Sequence, residues 1–212
     1  TGPGQSPKTT RITGHECRRM SSNQSILLAS ASPRRRELLT QLGVTFTVSA
    51  ANIDETVDES ESPHDYVRRM AREKALAGLE QTLGLMPSLG SDTIVLLDEE
   101  ILCKPETRAE AEGMLQALSE RTHHVYSAVA VALQVDEVLE SLNITAVTFG
   151  KMPTDWIKSY CQSDEPMDKA GAYAVQGGAG QYIKHIDGSY SGVMGLPLFE
   201  TAQLLREAGI LV

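Results

Sequence analysis

The sequence predicts an α/β chain on three observations. A short apolar run, Ile26 to Ala29, leads through a tight turn into a helix that opens at Ser32-Pro33 and stops at Gly43. A longer helix opens at Ser62-Pro63. Around these helices lie strand-like stretches: Ser88–Leu97, and two long alternating segments, Thr122–Leu133 and Val138–Phe149, whose length suggests adjacent antiparallel strands.

Composition narrows the function classes. The chain has 212 residues, 41% of them hydrophobic, which is enough for one substantial core. The formal charge is -9 with no long basic run, and only 5% of residues are aromatic. Both features disfavour a nucleic-acid binder, which needs a basic surface or stacking platforms. No apolar stretch approaches the roughly 18 residues of a membrane span, and there is no signal-peptide core. Cys17, Cys103 and Cys161 are odd in number and form no metal motif, so a reducing cytoplasm is expected. Residues 1–24 are polar and aperiodic and read as a disordered tail or appended extension, with Met20 as a sensible native start. Residues 25–212 read as one domain.

The first helix start carries charge of the wrong sign. Ser32 suits the N-cap and Pro33 the first helical position. Acids belong beside the positive end of the helix dipole, yet Arg34, Arg35 and Arg36 fill this turn. Arg35 stands where a capping box would place Glu or Gln. An anion held by backbone N–H groups, the Ser30 and Ser32 hydroxyls and arginine forks would resolve the conflict; the alternative is a solvated basic start.

Val44–Val48 alternates like a strand and runs into a loop bearing Asp54 and Glu55, an acidic pair that either faces a site or is simply solvated. The next helix has an apolar stripe of Val67, Met70, Ala71, Ala75 and Leu79, and Lys74 falls on it. Lys74 either snorkels to water or feeds its ammonium into a cleft. Asp92 lies inside the strand Ser88–Leu97, where Asp is disfavoured. Either it closes a bend through its own backbone or it is a paired carboxylate doing chemistry. A hairpin returns through Ile101–Cys103 to Lys104, which can arrive near Asp92. A helix follows over roughly 107–118, then the two long strands and a short helix at 154–160. His123 and His124 read as one inward and one outward strand residue, with no zinc spacing. Residues 164–178 form a loop dense in charge and glycine that carries Gln176, whose amide can read a base edge. Gln181–Ile186 reads as a strand, 188–197 as a glycine-rich turn, and 198–207 as the last helix.

Four stretches, in this order, resemble the Maf family of nucleoside triphosphate pyrophosphatases. They are Ala29–Arg35, Gly90–Thr93, Glu165–Tyr173 with Gln176-Gly177, and Val193–Pro197. The resemblance covers about residues 25 to 209. It implies a long twisted mixed β-sheet flanked by helices, of the Maf/ITPase-like kind, with two lobes around a deep cleft. It also implies hydrolysis of a nucleoside triphosphate to monophosphate and pyrophosphate with a divalent cation, Mg²⁺ or Mn²⁺, in a homodimer. Arg35, Thr93 and Gln176 match the branch that acts on dTTP and UTP. The chain departs from the family at Ser91 (commonly Ala), Cys103 (often Glu or Gly), Glu120 (usually Gly), Ala174-Val175 (usually Gly-Ile) and Gly192 (often Asn).

On this resemblance the triphosphate docks at Ser30, Ser32, Arg34 and Arg35, with Lys74 and Lys104 adding positive charge. Asp92 serves as base or metal ligand, Glu55 as second metal ligand or water-positioning carboxylate, and Thr93 and Gln176 sense the pyrimidine. The rival expectation is a nucleotide-binding regulator of septation and cell division without significant turnover.

Overall fold

The computed structural model describes residues 24–58 and 60–211. The tail expectation therefore falls outside the described residues, save for Gln24.

The strands are β1 (Ile26–Leu28), β2 (Phe46–Val48), β3 (Ser88–Leu97), β4 (Glu100–Leu102), β5 (Thr122–Gln134), β6 (Glu137–Phe149) and β7 (Ile183–Asp187). The helices are α1 (Pro33–Gln41), α2 (Pro63–Gln81), α3 (Arg108–Leu118), α4 (Thr154–Tyr160), α5 (Tyr190–Met194) and α6 (Leu198–Glu207). The sheet runs β2-β1-β3-β5-β6-β7, with β4 paired to β3. β1 is parallel to both neighbours and every other pairing is antiparallel, so the sheet is mixed. This is the α/β sheet flanked by helices that the sequence led us to expect. Among the described residues no helix is long and apolar enough to cross a membrane.

Alternation along β3 and β5 assigns the two faces. On one face Ala128, Ala130 and Ala132 leave room for α2, which packs Val67, Met70, Ala71, Ala75 and Leu79 against them. Gly90 lets α2 come closer still. A Cβ there would lie 2.3 Å from the Ala71 carbonyl oxygen and 2.4 Å from the Ala75 nitrogen. On the opposite face, two apolar clusters sit apart. One gathers α1 and α6 around Leu89, Val129 and Val131. The other gathers α3 and α4 around Val95, Val125 and Phe149. Ser91, Thr93 and Ser127 share that face between them, where Thr93 pairs with Ser127 across the strands.

Several boundaries differ from expectation. β2 begins at Phe46 rather than Val44, because its partner β1 offers only three residues. Residues 178–182 form a 3₁₀ turn and β7 starts at Ile183. The glycine-rich stretch contains a short helix, α5, capped by Ser189 and closed by Gly195 at φ 119. α1 ends as expected, with Gly43 at φ 69.

Candidate active site

A cleft of about 650 Å³ opens where the sheet is interrupted. β1 accompanies β3 only as far as Leu89, and β4 joins the same edge only from Val95. Among the described residues, 90–94 have no strand partner on that edge. Side chains from both faces of β3 can therefore reach the opening, which is why the neighbours Asp92 and Thr93 both line it.

The turn from β1 into α1 forms one wall. Ser32 caps α1, its hydroxyl accepting from the Arg35 backbone N–H at 3.5 Å. The Ser30 hydroxyl accepts from Ser32 N at 3.2 Å and from Arg35 Nη1 at 3.4 Å. Arg35 turns inward, donating from Nε to the Gly195 carbonyl at 2.8 Å. Burial lowers its pKa, and the Asp92 charge opposes that. Arg34 reaches the mouth, 3.7 Å from Asp168, while Arg36 is exposed. No acid occupies the first turn of α1. The wall thus presents cationic groups and a helix N-terminus to the cleft, the arrangement that binds anionic oxygens.

α2 supplies the opposite wall. Lys74 is only 8% exposed, yet its ammonium lies 2.7 Å from Asp92 Oδ1 and 2.7 Å from Glu55 Oε1. Of the two readings of Lys74, the structure takes the cleft. Asp92 is a carboxylate paired with Lys74 rather than one closing a bend through its own backbone. Tyr66 donates from its hydroxyl to the Glu55 carbonyl at 2.9 Å and fixes the acidic loop. Burial, then the nearby Asp92 and Glu55, raise the Tyr66 hydroxyl to about 12. Partial burial pushes Glu55 up, but the Lys74 hydrogen bond and charge, with Lys104 and Arg35, outweigh it and hold the carboxyl below its usual range. The stability this contributes is present above the ordinary carboxylate value of 4.5 and is lost as pH falls through the depressed folded value.

Lys104 lines the cleft beside Cys103, both exposed, and among the described residues no carboxylate pairs with it. Gln176 stands exposed at the rim, on the loop after Tyr173. All ten residues singled out from the sequence line this one cleft. Tyr66, Ser91, Ser127 and Gly195 were missed. Ser91 and Ser127 had a signal, since each is a polar residue at inward parity in a mostly apolar strand row. Tyr66 had none.

The donor set suits a hard divalent cation of the Mg²⁺ type. Asp92 and Glu55 flank Lys74 inside the cleft while Asp168 stands at the mouth beside Arg34, and among the described residues no group of three metal-ligating side chains forms a dedicated cage. A cation that keeps its waters and takes its other ligands from phosphate oxygens asks for no more than this.

The Maf family model, described as Maf-like protein, matches residues 25–208. The chain belongs to the Maf family. A dTTP/UTP pyrophosphatase of Bordetella avium (strain 197N) is 51% identical over 193 residues, which is 87% of this chain and 96% of that protein. A dTTP/UTP pyrophosphatase of Escherichia coli (strain K12) is 50% identical over 181 residues, 85% of this chain and 91% of that protein. Among solved structures, a HAM1 protein from Coxiella burnetii covers 61% of this chain and 75% of its own at 22% identity and a TM-score of 0.43, a distant likeness only.

Two departures from the Maf pattern have local explanations. Glu120 adopts φ 61, the left-handed conformation that the usual glycine takes freely. At Gly192 a Cβ would come within 2.9 Å of Asn143 Oδ1. Asn143 donates to Glu200 at 2.7 Å, so a larger residue at 192 would displace it.

Proposed function

We propose that this Maf-family chain is a nucleoside triphosphate pyrophosphatase acting on dTTP and UTP, which keeps nucleotide pools clean. The observation that carries the reading is the Lys74 ammonium set between Asp92 and Glu55 and facing an arginine-lined helix start across one cleft. Relatives at about 50% identity along most of the chain bear that name.

Cleavage between the α and β phosphates needs an in-line water and neutralisation of the charge that builds on the phosphate oxygens. The β1–α1 turn binds the triphosphate through backbone N–H groups, Ser30, Ser32 and Arg34, while Arg35 stiffens it through Gly195. Lys74 and Lys104 add positive charge along the chain of phosphates. Asp92 accepts the proton of the attacking water, and Glu55 helps position that water. Asp92 and Glu55 would also hold a divalent cation, Mg²⁺ or Mn²⁺, which supplies Lewis-acid charge neutralisation when bound. Thr93 and Gln176 contact the base edge. A homodimer and a cytoplasmic location belong to the same proposal; sedimentation tests the first and cell fractionation the second.

Pyrophosphate release is measured from dTTP, UTP, 5-methyl-UTP and 7-methyl-GTP with Mg²⁺, with Mn²⁺ and after chelation. Turnover of dTTP and UTP, lost on chelation, is expected. Asp92→Asn should lower kcat by about 10²–10⁴ with its melting temperature retained. Nucleotide binding without turnover would instead make the chain a regulator, and near wild-type turnover in Asp92→Asn would remove Asp92 from the chemistry.

A further inference from the structure

Hydroxyl hydrogens can be assigned in the polar strip between β3, β5 and α5, because each oxygen has one hydrogen and two lone pairs to place. The Ser127 hydroxyl lies 2.6 Å from the Gly192 carbonyl. A carbonyl only accepts, so the single Ser127 hydrogen is committed to it. Thr93 Oγ1 lies 3.0 Å from Ser127 Oγ, and with the Ser127 hydrogen spent, Thr93 must be the donor in that pair. The other acceptor within reach, the Gly195 carbonyl at 3.5 Å, already receives Arg35 Nε at 2.8 Å and Ser91 Oγ at 3.0 Å. Arg35 Nη2 approaches one Thr93 lone pair at 3.5 Å. Thr93 lines the cleft, and what it has left to offer there is a lone pair, with no hydrogen.

We infer that Ser127, fully buried and set behind the cleft lining, is a positioning residue that locks Thr93 as a hydrogen-bond acceptor toward the base. It thereby selects pyrimidines with an N3–H (uracil and thymine) over cytosine. This rests on the proposed reading of Thr93 as a base-edge contact. Uracil and thymine present N3–H to an acceptor, whereas cytosine presents a bare N3 lone pair and leaves two acceptors facing each other. Gln176 cannot make this choice alone, because its amide carries both a donor and an acceptor and can turn to suit either base. An amide adapts, but a hydroxyl whose hydrogen is committed inside the protein does not. Sites that use a fixed polar group discriminate strongly because the wrong ligand leaves that group unpaired in a desolvated place.

The test compares kcat and KM for UTP and CTP with the full chain and Mg²⁺, in wild type, Thr93→Val, Ser127→Ala, Ser127→Cys and Ser127→Thr. Wild type should favour UTP in kcat/KM. Ser127→Ala frees the Thr93 hydrogen to turn into the cleft, so the UTP preference should shrink by roughly tenfold, mainly through KM. Ser127→Cys, close in volume and weak in hydrogen bonding, should move the same way even if the alanine variant folds poorly. Ser127→Thr keeps the hydroxyl and should keep the preference. Thr93→Val should remove it. A UTP preference that survives Thr93→Val means that the base-edge reading of Thr93 fails. A preference lost in Thr93→Val but kept in Ser127→Ala and Ser127→Cys, with both nucleotides slowed alike, means that Ser127 only packs, and the inference is overturned. An absence of UTP preference in wild type overturns it as well.

Discussion

His123 shows how much a single buried side chain can do away from the cleft. It is fully buried on β5, with Nε2 2.7 Å from the Tyr173 hydroxyl and its ring stacked on Phe149 at 5.4 Å. Burial, with a smaller contribution from His124, lowers its pKa from 6.5 to about 4. The imidazole is therefore neutral in the fold where the unfolded chain would already be protonated. Stability from this residue is intact above 6.5 and falls as pH drops from there toward about 4. Between about pH 7 and about pH 5 the loss should be roughly 2 kcal/mol. His123→Phe should be less stable near neutrality, having left Tyr173 without its partner, and should lose less on acidification. Urea unfolding at the two pH values measures both effects, and parallel losses in the two proteins would exclude His123 as the source. Since Tyr173 begins the segment that carries Gln176, this residue also helps set the rim of the cleft.

At the scale of elements, the contact of α2 with β3 places the charged cluster. Lys74 sits on the buried stripe of α2, and it meets Asp92 because the Gly90 backbone lets the helix press on the strand. An alanine Cβ would overlap the Ala71 carbonyl and the Ala75 amide, which are backbone atoms that cannot swing away. Gly90→Ala should cost about 1–3 kcal/mol by forcing α2 outward, a drop of several degrees in Tm. It should also cut turnover more than saturating nucleotide can recover, because Lys74 and Asp92 separate. Calorimetry with steady-state kinetics checks this, and unchanged kcat would show that the Lys74 placement tolerates helix movement. The loop at residues 164–178 is held by comparable ties. Glu165 accepts from Gly178 N at 2.9 Å and from the Tyr160 hydroxyl at 3.0 Å, so the glycines beside Gln176 are pinned from behind.

For the whole molecule, the cleft is assembled from segments far apart in the chain: the β1–α1 turn, the loop bearing Glu55, α2, β3, the Lys104 strand end, the Gln176 loop and the turn at Gly195. A ligand gripping all of them should stabilise the fold as a unit. With a non-hydrolysable dTTP analogue at about 100 times its Kd, the gain is roughly 2.7 kcal/mol, or about 5–10 °C in Tm for a chain of this size. Differential scanning calorimetry reads it, and a shift confined to a fraction of the unfolding enthalpy would mean that the segments melt separately. The chain is acidic, at -9, yet its cleft gathers Arg34, Arg35, Lys74 and Lys104. Only the fold can concentrate positive charge in this way.

By itself the sequence determined the order and type of most elements, the family, and ten of the residues that line the cleft. Those features are written in local chemistry: Ser-Pro helix starts, glycine stops, period-two strands, and charges placed where a helix or strand should reject them. Tertiary structure decided what local chemistry leaves open. The two readings of Lys74 differ only in where its head goes, and that depends on Asp92 and Glu55 arriving from other segments. The two readings of Asp92 likewise differ by a partner eighteen residues away. Ser127 stood out in the sequence only by its inward parity, and its partners were set when Thr93 and the Gly192 carbonyl were brought to it. Hydrogen-bond direction is set by the whole circle of neighbours, and that circle closes only when the chain has folded.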